Sequence, residues 1–199
     1  MGIYEFAGCV VSYEPLYGLL RRRMETYRSD TEGQPDITLD GTKEDYEKLR
    51  KQYPHLSIEE CEYSCAGAEF YMKLLKHQGF MIHASAVEKE GKAYLFSAPS
   101  GTGKSTHAQL WRQTFKGEPI RIINDDKPAV CLQNGVFYAC GTPFSGKTDK
   151  NENRKAPIQG LCMLHRGKTN KIQKITSGEA LPLILPQTLF YGDEEETNL

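Results

Sequence analysis

The amino-acid sequence predicts an α/β fold with a mixed, partly antiparallel sheet, and three observations carry this prediction. A glycine-rich segment, residues 98–106, stands between an apolar strand pattern and an amphipathic helix pattern, as a phosphate-binding loop does. Asn134-Gly135 separates two short apolar runs, which is typical of a tight β-hairpin. Ser57 and Glu60 form a capping-box signature ahead of a stretch with helical periodicity.

Length and composition are those of an ordinary globular chain. The 199 residues are 39% hydrophobic and 26% charged, which favours a core that needs neither disulfides nor metals. A formal net charge of −1 disfavours a nucleic-acid partner and gives no attraction to an anionic membrane. No apolar run approaches the ~18 residues of a spanning helix, and the start carries Glu5 without a basic cluster, unlike a secretory signal. We therefore expect a cytoplasmic protein with no membrane partner, and oligomerisation is left open.

The first 79 residues are predicted as a strand and helices that pack on a core formed by residues 80–199. Residues 1–18 predict an opening strand, and residues 43–53 predict a charged helix. The run Arg21-Arg22-Arg23 between them is interpreted as a solvated turn, and a phosphate or RNA patch is the alternative.

The helix that begins after Ser57 carries apolar side chains at alternating three- and four-residue spacing. These side chains are Ile58, Cys61, Cys65, Ala68, Met72 and Leu75. Cys61 and Cys65 then lie on the buried stripe, so we interpret them as core residues. A metal site would require a second Cys or His pair. The six cysteines show no disulfide framework, which favours reduced thiols. Gly79 stands where a helix C-terminal cap belongs.

From residue 80 the pattern changes to short apolar runs and period two. Residues 80–87 and 93–97 predict two strands joined by a turn, and residues 103–116 predict the helix that follows the glycine-rich loop. The other predicted strands are residues 119–123, 128–132, 136–140, 160–165 and 171–175. Because consecutive strands are joined by hairpins, the sheet is expected to be mixed rather than all-parallel.

The segment Ala98-Pro99-Ser100-Gly101-Thr102-Gly103-Lys104-Ser105-Thr106 matches the phosphate-loop pattern, except that alanine replaces the first glycine. Gly101 and Gly103 allow the backbone to turn its N–H groups toward a polyphosphate, and the helix N-terminus adds partial positive charge. Lys104 is expected to reach the β- and γ-phosphates, and Ser105 to bind Mg²⁺. Ser100, Thr102 and Thr106 complete the predicted nucleotide-binding set. The alternative is an incidental glycine-rich turn.

A second string, residues 141–148, also fits Gly-x4-Gly-Lys-Thr, but no helical periodicity follows it. We interpret it as a flexible basic loop, in which Lys147 or Arg154 meets phosphate or substrate, or which is simply solvated. Residues 143–176 carry eight bases and two acids, whereas residues 177–199 carry five acids and no base. A nucleic-acid partner would depend on the basic segment alone.

Asn124-Asp125-Asp126 follows an apolar strand, at the end where α/β sheets bind ligands. One acid can hold Mg²⁺ while the other accepts the proton of an attacking hydroxyl. The alternative is a pair of turn acids ahead of Pro128. His83 lies on the strand that leads by a hairpin into the phosphate-loop strand. It is expected to bond a carboxylate or phosphate there, and the alternative is a partly buried structural histidine.

His83, the segment Gly103-Lys104-Ser105 and the pair Asp125-Asp126 resemble the catalytic core of HPr kinase/phosphorylase over roughly residues 80–176. That family is similar to phosphoenolpyruvate carboxykinase in its P-loop fold. The resemblance implies an ATP- and Mg²⁺-dependent kinase that phosphorylates a hydroxyl of a protein, a peptide or a small molecule. Alternatives are a nucleotide-binding regulatory protein without transfer activity and a carboxykinase-like enzyme.

The resemblance also implies roles for individual residues. Asp125 matches the general base, Asp126 the metal-side carboxylate and His83 the histidine near that base. The phosphate cradle corresponds to Gly101, Gly103, Lys104 and Ser105. True HPr kinases carry a later glycine-arginine-asparagine signature. This chain has only Lys147 and Arg154 near that place, so Arg154 is expected to hold the transferring charge.

Overall fold

Two β-sheets and five α-helices make up the part of the chain that the computed structural model describes, residues 1–115, 117 and 119–189. The strands are β1 (Gly2–Phe6), β2 (Cys9–Tyr13), β3 (Ile37–Thr38), β4 (Gly79–Met81), β5 (Ala84–Lys89), β6 (Lys92–Ser97), β7 (Arg121–Asn124), β8 (Ala129–Gln133), β9 (Val136–Cys140) and β10 (Lys155–Met163). The helices are α1 (Gly18–Met24), α2 (Lys43–Gln52), α3 (Ile58–Leu74), α4 (Lys104–Thr114) and α5 (Ser177–Ile184). Within these described residues, none of the helices combines the length and the hydropathy that crossing a bilayer requires.

The larger sheet has seven strands in the order β4-β8-β9-β10-β6-β5-β7. Strands β6 and β10 pair in parallel, and the other described pairs are antiparallel, which confirms a mixed α/β fold. Because β5 runs antiparallel to both β6 and β7, the strands β6, β7 and β10 all point the same way. Their carboxyl ends therefore lie along one edge, here called the carboxyl edge.

Two of the predicted hairpins of this sheet are confirmed, whereas the predicted pair of strands around Gly167 does not form. Strands β5 and β6 are joined by Glu90-Gly91, with φ of +52° and +72°. Strands β8 and β9 are joined by Asn134-Gly135, with φ of +51° and +77°. Positive φ at both central residues twists the chain in the sense that matches the strand twist, so each pair closes in two residues.

Some strand predictions are wrong in their bounds. Residues 1–18 form two strands, because Ala7 and Gly8 turn the chain with positive φ. Residues 80–87 also divide in two, since β4 pairs with β8 whereas β5 pairs with β6 and β7. Residues 171–175 form no strand. Residues 155–157 of β10 pair with β9 and residues 158–163 pair in parallel with β6, so the predicted strand 160–165 has β6 as its partner and not residues 171–175.

Helix α3 begins with the predicted capping box, in which Ser57 and Glu60 exchange hydrogen bonds. Its buried face is not the predicted one. Glu62, Ala66, Gly67, Phe70, Tyr71 and Leu74 are buried with Cys61, whereas Met72 and Leu75 are each 43% exposed. Aromatic rings decide the face, because Phe70 stacks on Phe144 at 5.8 Å and buries more apolar area than Met72 could. The left-handed residue after the helix is Gln78 rather than Gly79, which begins β4.

The arginine run lies in α1 and not in a turn. Leu20 and Met24, four residues apart, are fully buried and fix one face of this helix against the core. Helix α4 spans Lys104–Thr114, so it ends before the predicted residue 116, which lies outside the described residues. Helix α5 was not predicted, although Thr176 and Glu179 form a capping box at its start. The acidic run at residues 193–196 lies outside the described residues.

The apolar core is continuous between the first 79 residues and the larger sheet. Phe6 and Phe70 belong to the same buried cluster as Met81, Cys131 and Phe144. The six cysteines are free thiols, and burial raises the pKa of Cys9 to about 12. The division of the chain at residues 79 and 80 stays a prediction.

Candidate functional site

Three segments leave the carboxyl edge side by side. They follow β6, β7 and β10, and they begin with Ala98, Asp125 and Leu164. Two of them carry the residues that the sequence singled out for chemistry. The strand order brings these segments together, because β5 alone separates β6 from β7 and β10 is the parallel neighbour of β6.

The predicted phosphate loop connects β6 to α4 with the backbone that its glycines allow. Gly101 and Gly103 have φ of +76° and +117°, in the left-handed region that side-chain-bearing residues rarely adopt. Lys104 is only 7% exposed, and its Nζ donates a hydrogen bond to the carbonyl of Ala98 over 2.9 Å. The ammonium group therefore folds back across the loop.

Both acids of the pair act on the charge of Lys104. Burial lowers the pKa of Lys104, while the carboxylates of Asp126 and Asp125 act in the opposite direction, Asp126 more strongly. Two nearby carboxylates favour the charged form of a lysine and oppose the effect of its burial. The loop and the pair therefore belong to one electrostatic cluster.

Asp125 is buried, with 2% of its surface exposed. Both carboxylate oxygens accept hydrogen bonds: Oδ1 from Ser85 Oγ at 2.8 Å and Oδ2 from Thr148 Oγ1 at 2.9 Å. Its backbone N–H donates to the carbonyl of Lys150. These contacts satisfy an otherwise costly buried carboxylate and fix its orientation.

Asp126 is the more accessible acid, with 27% of its side chain exposed. His83 Nε2 lies 3.3 Å from Oδ1, and Lys127 Nζ lies 3.1 Å from Oδ2. Burial raises the pKa of Asp126, but the hydrogen bond from His83 and the charge of Lys127 outweigh it and lower the pKa to about 2. Asp126 is therefore ionised at neutral pH.

His83 is not in the middle of a strand as predicted, but in the break between β4 and β5. Ser97 Oγ donates to the carbonyl of His83 over 2.8 Å, and the backbone N–H of His83 donates to the carbonyl of Gln187 over 2.7 Å. Because Ser97 is the last residue of β6, this contact ties the histidine to the strand that carries the phosphate loop.

Asn124, which sequence reasoning left without a role, shapes the turn that presents the two acids. Its Oδ1 accepts hydrogen bonds from the backbone N–H groups of Asp126 and Lys127, at 3.0 and 2.8 Å. Its Nδ2 donates to the carbonyl of Thr142 over 3.1 Å. An asparagine at a strand end is a common turn former, and that signal was available in the sequence.

The second glycine-rich string is the opposite wall of the site and not a free loop. Gly146 has φ of +68°, and a Cβ there would lie 2.6 Å from Asp126 Oδ2. Its N–H donates to Tyr63 Oη over 2.9 Å, and its carbonyl accepts from Arg23 Nη2 over 2.8 Å. Arg23 Nε also pairs with Asp149 Oδ1 at 3.0 Å. Helices α1 and α3 thus hold this wall against the acids.

Sequence reasoning gave no role to several residues of the site: Arg23, Tyr63, Ser85 and Thr148. Their contacts join positions that are between 23 residues apart, for Thr148 with Asp125, and 126 residues apart, for Arg23 with Asp149. The match of residues 141–148 to Gly-x4-Gly-Lys-Thr was a sequence signal that could have pointed to this wall. No local pattern pointed to Arg23 or Tyr63.

The structure does not bring Arg154 to this cluster. Its Nε lies 2.6 Å from Glu88 Oε2, and its Nη1 lies 3.2 Å from Glu152 Oε2. Glu88 is the register partner of Arg121 at the beginning of β7, whereas Asp125 follows the end of that strand. The guanidinium is therefore committed to an ion-pair network away from the carboxyl edge.

The oxygen donors at the carboxyl edge fit Mg²⁺ in their chemistry. Ser105 offers a hydroxyl and Asp126 an ionised carboxylate, both hard ligands that this cation prefers. In the described part of the chain no group of three or more His, Cys, Asp or Glu side chains forms a metal cage. Mg²⁺ at kinase sites commonly takes one or two carboxylates together with phosphate oxygens and water.

Comparison with known proteins adds little to this geometry. No protein-family model matches the chain, and no curated protein matches it. Among solved structures it is similar to the Hpr(Ser) kinase/phosphatase from Coxiella burnetii, at 13% identity and a TM-score of 0.34. The match covers 48% of this chain and 65% of that one, just under two thirds of its length. Similarity at this level assigns no function, so any function must be argued from the residues of the site itself.

Proposed function

We propose that the protein is an ATP- and Mg²⁺-dependent kinase that transfers the γ-phosphoryl group to a hydroxyl. The acceptor is a serine or threonine of a protein or peptide, or a small molecule. One observation supports the proposal: the loop with Lys104 and the pair Asp125-Asp126 lie on the same carboxyl edge, and both carboxylates act on the charge of Lys104. Phosphoryl transfer needs a phosphate cradle and carboxylates in one cleft.

The phosphate loop supplies binding and charge in this proposal. The loop would offer the phosphates the backbone N–H groups of Ser100, Gly101 and Gly103, and that of Thr102 once it leaves the Pro99 carbonyl, to which it donates in the structure. Ser105 and Thr106 would add hydroxyls at the first turn of α4. Lys104 exchanges its hydrogen bond with the Ala98 carbonyl for a phosphate oxygen. Such preorganised donors stabilise the charge that spreads over the transferring group.

The two acids have different surroundings and therefore different tasks. Asp126 is ionised and accessible, so it would hold Mg²⁺ with Ser105, and the cation would neutralise charge on the phosphates. Asp125 accepts the proton of the acceptor hydroxyl. That hydroxyl takes the place of the Thr148 hydroxyl, which now donates to Asp125 Oδ2 in the way an acceptor would. His83 positions Asp126 through its Nε2.

The proposal is tested with labelled ATP, Mg²⁺ and a lysate of the source cells. Wild type should label an acceptor. Lys104→Ala should lose nucleotide binding, while Asp125→Asn should bind ATP and lose transfer. The matched control is Lys92→Ala at the exposed opposite end of β6, which should change neither. Undiminished transfer by Asp125→Asn would remove Asp125 as the base.

A nucleotide-binding regulatory protein without transfer activity is the second candidate. It is favoured by the burial of Asp125, whose two oxygens are already occupied by Ser85 and Thr148. In that case ATP should bind with dependence on Lys104, yet no acceptor should be labelled. A Thr148→Val variant, which frees Asp125 Oδ2, should then also fail to transfer.

A further inference from the structure

A cleft of about 430 Å³ opens beside the phosphate loop at the carboxyl edge. Its walls are the loop residues 101–103, the first turns of α4 and residues 164–166. Strands β6 and β10 are parallel neighbours, so the segment that leaves β10 runs next to the loop that leaves β6. The volume lies within the ~300 to 1,000 Å³ typical of small-molecule sites.

One wall of this cleft is apolar. Leu110 of α4 is 49% exposed, and Leu164 is half-buried against the strand core beneath it. The His107 ring is held edge-on to Phe96, with centroids 4.4 Å apart. Two leucines and a fixed aromatic ring suit one face of a planar heterocycle.

The rim of the cleft is cationic and continuous with the phosphate loop. Arg166 Nη2 donates to the carbonyl of Gly101 over 2.6 Å, so one guanidinium bridges the cleft and the loop. Thr106 offers a hydroxyl on the same side. The described residues that line the cleft include no Asp or Glu, so nothing among them repels an anionic ligand.

We propose that this cleft binds the nucleoside part of the nucleotide whose phosphates the loop holds. The base lies against Leu110 and Leu164, and Arg166 contacts the phosphate nearest the sugar. This inference rests on the proposed function for the phosphates. It adds that the apolar wall, and not the phosphate loop alone, distinguishes a nucleotide from a bare polyphosphate. It also places Arg166, rather than Arg154, as the second cation of the site.

The test compares ATP with inorganic tripolyphosphate, each with Mg²⁺, by calorimetric titration. Wild type should bind ATP at least about tenfold more tightly than tripolyphosphate. Leu110→Asn should weaken ATP binding about fivefold, by loss of apolar contact, and leave tripolyphosphate binding unchanged. Leu75→Asn is the matched control, because Leu75 is similarly exposed, 43% against 49%, and lies outside the cleft. It should leave both affinities unchanged.

The inference and the proposed function fail in different ways. Equal affinity of wild type for ATP and tripolyphosphate would overturn the cleft assignment, as would an equal loss of both ligands in Leu110→Asn. Tripolyphosphate binding that still depended on Lys104 would leave the phosphate loop intact. If neither ligand bound, or if Lys104→Ala bound as wild type does, the proposed function would fail and the cleft assignment with it. Circular dichroism checks that each variant is folded.

Discussion

The hydroxyl of Thr148 donates a hydrogen bond to the buried carboxylate of Asp125, 23 residues away, over 2.9 Å. The other oxygen of that carboxylate is held by Ser85 at 2.8 Å. One partner is fully buried on β5, and the other lies on an exposed turn. The acid is therefore fixed on one side by the sheet and covered on the other by a removable hydroxyl.

This asymmetry predicts unequal costs for removing the two donors. Ser85→Ala should lower the free energy of unfolding by about 1.5 to 3 kcal/mol, because it leaves one oxygen of a buried carboxylate without a donor. Thr148→Val should cost less than about 1 kcal/mol, since water can replace the exposed hydroxyl. Urea denaturation measures both, with Ser64→Ala at an exposed position of α3 as control. Equal losses at Ser85 and Thr148 would contradict the asymmetry.

A side chain at Gly146 should be destabilising, and its clash with Asp126 can be measured separately from the strain of the left-handed backbone. Gly146→Ala meets Asp126 Oδ2 at 2.6 Å and must also adopt φ of +68°. Gly91→Ala meets the second condition alone, with φ of +72° and no atom within 4 Å of its Cβ. Both variants should lose about 1 to 2 kcal/mol of the free energy of unfolding, because a side chain strains the left-handed backbone. Gly146→Ala should lose at least about 1 kcal/mol more. Equal losses in thermal denaturation would show that Asp126 moves away freely.

Helices α1 and α3 are expected to rigidify the last part of this wall, residues 145–148, together with Asp149 that follows it. Removing Arg23, which is bonded to the Gly146 carbonyl and to Asp149, should speed amide exchange across this segment about tenfold. Tyr63→Phe should act mainly on the amide of Gly146, whose N–H it frees. Arg22→Ala, at an exposed position of the same helix, is the control. Unchanged exchange in Arg23→Ala would mean that other contacts suffice to hold the wall.

Stability should depend on pH through Asp126. Its folded pKa of about 2 lies below the ordinary 3.8, so the folded state releases the proton more readily than the unfolded state. The stabilisation of the folded state by ionised Asp126 is then fully present above pH 3.8 and is lost as the pH falls through 2. Asp126→Asn should flatten the stability profile in this window. An unaltered acid limb would contradict the paired, ionised state of Asp126.

Local patterns were sufficient for the secondary structure that short-range physics controls. The Asn134-Gly135 turn, the Ser57–Glu60 capping box and the strand–loop–helix around Lys104 all depend on backbone preferences within a few residues. Where contacts between residues distant in sequence determine the structure, the same local patterns gave a wrong prediction. The face of α3 is set by packing of Phe70 on a ring 74 positions away, Phe144.

The sequence by itself determined that a glycine-rich loop precedes a helix and that two adjacent acids end a strand, because both are properties of consecutive residues. Only the tertiary structure decided which acid is buried, that Arg154 is engaged elsewhere, and that Arg23 and Tyr63 support the wall at Gly146. The physical reason is strand order: placing β5 between β6 and β7, and β10 beside β6, brings distant side chains within hydrogen-bonding range. That order depends on the free energy of the whole packed core, which no short window of sequence contains.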